Sequence, residues 1–333
     1  RPRWLTAGGA ASPPSENLVV RGRSIGDPPR MARIPWESVP APVRAAIEEV
    51  AGARIAAVRP TEGGFSPCFA GRLDLVDGRS VFAKAVSGAQ NPQSPTYLRM
   101  ELAGAGSVPA SVPTASLLGT VDRGGWVAGV FAHVDGRLPS LPWQADELTR
   151  AFEAVAAGGL TRAPEHLPAA VEQLRLLFDG WRSLVADDEV PKDWASRAQL
   201  LVGLEADALA CAGGDRLVHL DVRADNLIVT PAGDVVLVDW AYTSRGAGWL
   251  DIVLWAPALE LEGGGTPEAS LAAWPGERPA PEHLLATVAG LAGYFLHRGG
   301  LPDPPGIPTL RSFQRAQAVP ALAWLDRLLA RSG

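Results

Sequence analysis

Residues 217–240 constrain the fold of this chain more than any other segment. An apolar strand pattern ends at His219, and the loop after it carries Asp221 and Asn226. A predicted hairpin follows, and Asp239 stands directly after its second strand. Because a hairpin folds back on itself, Asn226 at its start and Asp239 at its end are expected to lie close together. Polar side chains gathered in this way on a loop and a hairpin are typical of a functional site.

The rest of the sequence predicts a β-rich part followed by an α-rich part, which is an α+β fold. Strand patterns occupy residues 55–59, 68–76, 80–86, 115–121, 126–134, 217–219, 226–230 and 234–238. Helical patterns occupy residues 43–50, 95–104, 144–157, 167–185, 193–212, 249–260, 282–298 and 309–331. Segments rich in Gly and Pro at 261–281 and 299–308 predict loops. The change of pattern after Gly136 predicts a hinge at about residues 131–136.

The beginning of the sequence has a different composition. Residues 1–30 are rich in Gly, Pro, Ser and Arg and show no hydrophobic periodicity, which predicts a disordered leader. With the hinge, this gives three predicted regions: the leader, a first lobe over residues 31–134 and a second lobe over residues 135–333.

The spacing of the polar residues in 217–240 carries a family resemblance. His219-x-Asp221, four residues, Asn226, a short hairpin and Asp239 together resemble the pattern of the aminoglycoside phosphotransferase family and, more distantly, of protein kinases. The resemblance covers most of residues 55–260. It implies a two-lobed protein-kinase-like fold with a small antiparallel β N-lobe that binds the nucleotide. The larger, mainly helical C-lobe would carry the catalytic and substrate-binding residues.

The resemblance also implies roles for the polar residues of the loop. Phosphoryl transfer needs an aligned acceptor hydroxyl and cations that neutralise the phosphate oxygens. Asp221 is the candidate catalytic residue that accepts the hydroxyl proton. Asn226 and Asp239 offer the oxygen ligands that Mg²⁺ prefers. Arg223, also taken as catalytic, would either contact the γ-phosphate or lie as a solvated loop arginine, and the sequence leaves both open.

Two further residues are expected to support this loop. His219 would pack beneath it and fix its backbone. Asp251, at the start of a predicted helix, would hydrogen-bond the backbone of the catalytic loop, although an acidic residue at a helix start is also favoured by the helix dipole alone.

A kinase-like N-lobe needs a lysine on a strand and a glutamate on the following helix. Lys84 is the single charge in a strand-like run, and the chain has only one other lysine, Lys192. Glu101 lies on the next predicted helix and is its natural partner. The alternatives are a lysine that protects a sheet edge and a glutamate on a solvated helix face.

The remaining nucleotide-binding candidates are backbone positions. Gly63, Gly64 and Ser66 lie between the first two strands, where a loop that covers the phosphates belongs, although a plain hairpin turn fits the local sequence nearly as well. Backbone atoms of Ala132 and Val134 in the hinge are expected to bind the adenine edge.

Composition excludes several classes of function. The formal net charge of −6 argues against a nucleic-acid-binding protein. No apolar run approaches the roughly 20 residues that span a bilayer. Two cysteines, Cys68 and Cys211, form neither a disulfide framework nor a zinc site. The sequence therefore predicts a cytoplasmic protein, either a monomer or a homodimer, with no nucleic-acid or membrane partner.

The predicted function is an O-phosphotransferase that uses ATP, or alternatively GTP, and Mg²⁺ to phosphorylate a hydroxyl of a small molecule. An antibiotic acceptor (an aminoglycoside, nucleoside or macrolide) would make it a resistance or self-resistance enzyme. The alternatives are a choline-, homoserine- or sugar-kinase relative and a catalytically inactive kinase-like binding protein. The carboxylates that a polycationic aminoglycoside needs, such as Glu260 and Glu262, form no convincing cluster in the sequence.

Overall fold

A small antiparallel β-sheet and a larger group of helices make up the chain. The computed structural model describes residues 33–61, 68–89, 91–304 and 309–332. The predicted leader, residues 1–30, lies outside the described residues, and so do Gly63, Gly64 and Ser66. Within the described part, no helix is long and apolar enough to cross a membrane.

Five strands form one sheet in the order β1-β2-β3-β5-β4, with every neighbouring pair antiparallel. The strands are β1 (Ile55–Pro60), β2 (Phe69–Leu75), β3 (Ser80–Ser87), β4 (Leu117–Arg123) and β5 (Trp126–Ala132). Helix α1 (Ala41–Ala51) precedes the sheet, and α2 (Ser94–Ala105) is inserted between β3 and β4. These elements occupy the predicted positions, with ends shifted by about two residues at most.

The alternation of side chains along β3 separates the two faces of this sheet. Val81, Ala83 and Ala85 are buried in a cluster with residues of α1. Lys84 has the opposite parity, so its side chain leaves the sheet on the other face. Val86 on that face belongs to the cluster that includes Leu98 and Leu102 of α2. A strand with period two thereby directs its single charge toward the helix that carries Glu101.

The second part of the chain is mainly helical. Its helices are α3 (Ala145–Leu160), α4 (Ala170–Leu174), α5 (Gly180–Ala186), α6 (Lys192–Ala195), α7 (Ala198–Cys211), α8 (Leu250–Leu261), α9 (Pro267–Ala273), α10 (Pro281–Gly300) and α11 (Leu310–Ser332). Two small antiparallel pairs complete it: β6 (Arg216–Val218) with β9 (Ser244–Gly246), and β7 (Leu227–Val229) with β8 (Val235–Leu237). The predicted α+β class and the hairpin in the loop region are confirmed.

The single helix predicted over residues 167–185 is wrong, because the chain forms α4 and α5 with turns between them. The reason lies in tertiary contacts. The buried Glu205 carboxylate accepts hydrogen bonds from the backbone N–H groups of Trp181 at 3.1 Å and Arg182 at 3.2 Å, which caps a new helix start. Gly180 also packs directly against the backbone of Gly293 on α10, where no side chain would fit. Neither partner is local in sequence.

Three other elements differ from prediction. The helix predicted over residues 193–212 is divided into α6 and α7. The predicted loop at 261–281 contains α9, whose start has the features of a helix N-terminus: the Thr266 hydroxyl accepts from Ala269 N at 3.2 Å, and Pro267 occupies the first turn. Strand β9 was not predicted, since three residues carry too little periodicity to identify a strand.

Helix α2 packs closely against the segment after Asp239, and Gly104 is the residue of α2 at this contact. A Cβ atom on Gly104 would collide with the backbone oxygen of Trp240 and would lie 2.7 Å from the Thr243 hydroxyl oxygen. The absence of a side chain at Gly104 therefore sets how closely α2, with Glu101 one turn earlier, approaches the segment that follows β8.

We expect Gly104→Ala to lower the free energy of unfolding by about 1–3 kcal/mol, because α2 must move away from Trp240 and Thr243. The matched control is Gly203→Ala in α7, where a Cβ meets nothing within 4 Å. That change should raise stability by about 0.5–1 kcal/mol through helix propensity. Urea denaturation of both variants measures the difference, and equal effects would contradict this packing role for Gly104.

Candidate active site

The loop between β6 and β7 holds a strained backbone. Leu220 has φ 63° and Asp239, after β8, has φ 67°, which are left-handed values that residues with a side chain seldom adopt. Such residues cost about 1–3 kcal/mol each and persist only where surrounding contacts hold them. The loop ends in a short 3-10 helix, Ala224–Asn226, directly before β7.

Two buried side chains supply the contacts that hold this loop. The Asp251 carboxylate at the start of α8 accepts from His219 N at 2.9 Å and from Leu220 N at 2.7 Å, so the predicted bond to the loop backbone is confirmed. His219 Nε2 lies 3.0 Å from Val238 O, and Nδ1 accepts from Asp221 N at 3.3 Å. Because a carbonyl oxygen only accepts, these contacts select the tautomer protonated at Nε2. His219 is thus a structural residue, as predicted.

Asp221 is positioned by its neighbours in the same loop. Asn226 Nδ2 donates to Asp221 O at 2.8 Å and lies 3.4 Å from Asp221 Oδ2. Arg223 Nη1 lies 3.3 Å from Asp221 Oδ1. Burial raises the pKa of Asp221 above its usual range, and the Arg223 charge opposes that rise. A partly desolvated carboxylate of this kind is a stronger proton acceptor than a solvated one.

Arg223 is not the solvated loop arginine that the sequence left open. Its side chain is 21% exposed and forms a two-point ion pair with Asp225, at 2.9 and 3.1 Å. Its guanidinium carbon also lies 5.7 Å from the centroid of the Phe313 ring. Despite burial, the nearby carboxylates of Asp221 and Asp225 raise the pKa of Arg223, so it is positively charged. A contact between Arg223 and a phosphate stays a prediction.

Lys84 joins the sheet to the segment after β8. Its Nζ lies 2.6 Å from Glu101 Oε1 and 3.4 Å from Asp239 Oδ2, and its side chain is 18% exposed. The predicted pairing with Glu101 is therefore present, and the alternative of a lysine at a sheet edge is excluded, since β3 is flanked by β2 and β5. Burial opposes the charge of Lys84, but the two carboxylates outweigh it and raise its pKa.

The two carboxylates respond differently to this shared ammonium. Burial and the charge of Asp239 raise the pKa of Glu101, although Lys84 opposes the rise. For Asp239, burial acts in the same upward direction, but Lys84 and Arg223 together hold its pKa below the usual range. Asp239 is the more exposed carboxylate at 38% of its side-chain surface, against 8% for Glu101. Asp239 therefore remains an accessible anion beside Lys84.

The hairpin places both predicted magnesium ligands at one end. Val238 N donates to Asn226 O at 3.0 Å, which brings Asp239 next to Asn226. Since Asn226 Nδ2 is used to hold Asp221, its Oδ1 is the atom suited to ligate a cation. Among the described residues, no three His, Cys, Asp or Glu side chains form a metal site. An oxygen pair that needs phosphate and water to complete the coordination fits Mg²⁺, which retains such ligands.

The hinge candidates lie at the end of β5. Ala132 is its last residue and donates its N–H to Ser116 O at 2.8 Å, and Val134 stands in the link that continues toward α3. The other end of this link is tied to β7, where Arg137 and Val229 exchange backbone hydrogen bonds of 3.0 and 2.7 Å. Binding of a nucleobase by Ala132 and Val134 stays a prediction.

Sequence reasoning missed the side chains that α10 and α11 contribute near the loop that carries Asp221 and Arg223. Phe313 contacts Arg223, and the charge of Asp221 adds to burial in raising the pKa of Tyr294. Both residues lie more than 60 positions after the loop that carries Asp221, and no local pattern marks them. Tyr242, three residues after Asp239, has its pKa raised by burial and by Asp221 in the same way.

We expect Asp251→Ala to lower the free energy of unfolding by about 3 kcal/mol, because two buried N–H groups in a strained loop lose their acceptor. Asp122→Ala is the control: this exposed carboxylate pairs with Arg99 on the surface, where solvent screens the pair, and its loss should change stability little. Denaturant titration compares the two. An Asp251→Ala protein as stable as Asp122→Ala would contradict the role assigned to Asp251.

The geometry can be compared with known proteins. No family model matches the sequence, and no curated protein matches it either. Solved structures do match. The aminoglycoside phosphotransferase APH(4)-Ia is 14% identical, with a TM-score of 0.56 over 87% of this chain and 98% of that one. A thermostable mutant of it is described in a ternary complex with ADP and hygromycin B.

Kinases of small molecules match equally well. A choline/ethanolamine kinase family protein from Mesorhizobium loti is 17% identical, with a TM-score of 0.55 over 86% of this chain and 94% of that one. The choline kinase LicA from Streptococcus pneumoniae is 15% identical, with a TM-score of 0.51 over 85% and 99%. At such identities the likeness is one of fold. The chain therefore has the two-lobed protein-kinase-like fold of the aminoglycoside phosphotransferases and choline kinases, as its sequence predicts.

Proposed function

We propose that this protein is a phosphotransferase that moves the γ-phosphate of ATP to a hydroxyl group of a small molecule. The observation that carries the proposal is the convergence of Lys84, Glu101 and Asp239, with Asp239 beside Asn226 and Asp221 on the adjoining loop. Phosphoryl transfer requires a cationic side chain that binds the phosphates, oxygen ligands for a metal ion and a base for the acceptor hydroxyl, and these residues offer all three.

Each of these residues has a distinct part in the proposed reaction. Asp221 accepts the proton of the acceptor hydroxyl while the hydroxyl oxygen forms its bond to the γ-phosphorus. The bond from that phosphorus to the bridging oxygen breaks, and ADP leaves with the electron pair. Lys84, oriented by Glu101, binds the phosphates and places them. Asn226 and Asp239 would hold Mg²⁺, which supplies neutralisation of phosphate charge when bound.

Arg223 supports the same chemistry by holding Asp221 as an anion. Its charge opposes the effect of burial on the pKa of Asp221, so the carboxylate stays ready to accept a proton. Its two-point pair with Asp225 fixes the guanidinium within the loop. We include a contact from Arg223 to the γ-phosphate in the proposal.

The N-lobe, residues 31–134, would then be the nucleotide-binding part, and residues 135–333 the catalytic and substrate-binding part. Proteins of this fold act on antibiotics in some cases and on choline in others, as the names of the matching structures state. An antibiotic acceptor, with resistance as the outcome, is the first candidate. A primary-metabolite kinase is the second. An inactive binding protein is disfavoured because Lys84, Asp221, Asn226 and Asp239 are all present and in contact with one another or with shared neighbours.

We expect Asp221→Asn to reduce phosphate transfer by about 10²-fold or more while ATP binds within a few-fold of the wild-type affinity, because only the proton acceptor is lost. Mass spectrometry of the phosphorylated products, over a panel of aminoglycosides, nucleosides, macrolides and choline, measures transfer. Calorimetry measures ATP binding.

Asp234→Asn is the matched control, since its carboxylate is 76% exposed in the turn of the β7–β8 hairpin, and it should keep wild-type transfer. A correctly folded Asp221→Asn protein with near-normal turnover would refute the proposed mechanism. Absence of both ATP binding and product in the wild-type protein would refute the proposed function as a whole.

A further inference from the structure

Residues of α10 and α11 form a wall beside Arg223. The buried Gln314 side chain donates from Nε2 to the Tyr294 hydroxyl at 3.1 Å and accepts from Arg311 Nη1 at 2.7 Å through Oε1. Phe313, the residue before Gln314, faces the catalytic loop. A buried amide that bonds on both sides fixes the orientation of Tyr294 and Arg311. We call Tyr294, Arg311, Phe313 and Gln314 the aromatic wall.

The aromatic wall adjoins the proposed base through Arg223. The Arg223 guanidinium contacts the Phe313 ring at 5.7 Å from its centroid, and the same group lies 3.3 Å from Asp221 Oδ1. Phe313 and Tyr294 are only partly buried, so each ring keeps some accessible surface. After burial, the Asp221 charge is the second cause of the raised pKa at Tyr242, and it also raises the pKa at Tyr294. The Phe313 ring therefore lies beside Arg223, which in turn contacts the proposed base Asp221.

Arg311 is the one charged residue of the aromatic wall, and Asp303 Oδ1 accepts from its backbone N at 3.3 Å, so the wall itself offers a polycation no excess of negative charge. Asp225 is already paired with Arg223. Glu262 accepts from Trp143 Nε1 at 2.9 Å, and burial raises its pKa to about 7, so it is only partly charged near neutral pH. Arg311 contributes a positive charge to the wall. The nearby charge of Arg298 adds to burial in lowering the pKa of Arg311.

We propose that the acceptor is a hydroxylated compound with an aromatic ring and no positive charge, whose ring lies on Phe313 and Tyr294. This inference rests on the proposed function and assigns its substrate class. Partly exposed rings held in place offer stacking surface to a planar group, while neutralised carboxylates offer little to an ammonium group. A nucleoside has this chemistry, and a polycationic aminoglycoside or choline does not.

The test is calorimetric titration of the wild-type protein after saturation with AMP-PNP and Mg²⁺. The aromatic probes are uridine and para-nitrophenyl β-D-glucoside, their ring-free counterparts are ribose and methyl β-D-glucoside, and the cationic probes are hygromycin B and choline. We expect at least one aromatic probe to bind about tenfold or more tightly than its counterpart and than both cations. Tighter binding of either cation overturns the inference. Equal binding within each matched pair, or no binding of any aromatic probe, also overturns it.

The first titration, with AMP-PNP alone, reports on the proposed function separately. Failure of AMP-PNP to bind counts against phosphate transfer, whereas AMP-PNP binding with preference for a cation counts only against the aromatic wall. Phe313→Ala should weaken binding of the aromatic probe about tenfold, while AMP-PNP still binds and can saturate the variant. Phe313→Leu, which keeps an apolar side chain, is the second variant if Phe313→Ala does not fold, and it should show the same loss. Val319→Ala, on α11 with Val319 60% exposed, is the control that should change neither. Unchanged affinity in the folded Phe313 variant overturns the inference.

Discussion

The contact on which the rest of the site depends is that of the Lys84 ammonium with two carboxylates. One comes from α2 and the other from the segment after β8, so a single cation links the sheet, the inserted helix and the helical lobe. A mostly buried ammonium is costly unless it is paired, and a buried carboxylate such as Glu101 is costly in the same way. The pair is stable only while α2 and the β7–β8 hairpin keep their places, which ties the geometry of the proposed nucleotide site to that of the proposed catalytic loop.

Several smaller structural features hold α2 and the β7–β8 hairpin in position. Gly104 lets α2 approach Trp240, and Asp251 holds the backbone on which Leu220 takes a left-handed conformation. Asp239 also has a positive φ, although a glycine would adopt it more easily. Asp239 has a carboxylate beside Lys84 although its backbone conformation is strained. A need for these oxygens at the proposed site would account for the strain. The strain and its supports are thus concentrated at the proposed site rather than spread over the fold.

Much of this arrangement could be predicted from the sequence because the informative residues are close together in it. His219, Asp221, Asn226 and Asp239 lie within one strand, loop and hairpin, and the period-two pattern of β3 gives the direction of Lys84. What could not be predicted depends on distant contacts. Glu205 starts α5 from another helix, and Phe313 reaches Arg223 from the last helix of the chain. The residues proposed to contact the acceptor are also brought into place by distant contacts, so the sequence alone did not identify the substrate.

The most direct test of the central claim is the affinity of Lys84→Met for ATP with Mg²⁺, measured by calorimetry beside Lys192→Met. These are the two lysines of the chain, and Lys192 is exposed on α6. Loss of the Lys84 charge leaves Glu101 without its cation and the phosphates without their main contact from the sheet. The affinity of Lys84→Met for ATP should therefore fall by about tenfold or more, while Lys192→Met should bind ATP as the wild type does. Circular dichroism confirms that both variants fold. Wild-type affinity in folded Lys84→Met would contradict the account, because the nucleotide site would then not include β3.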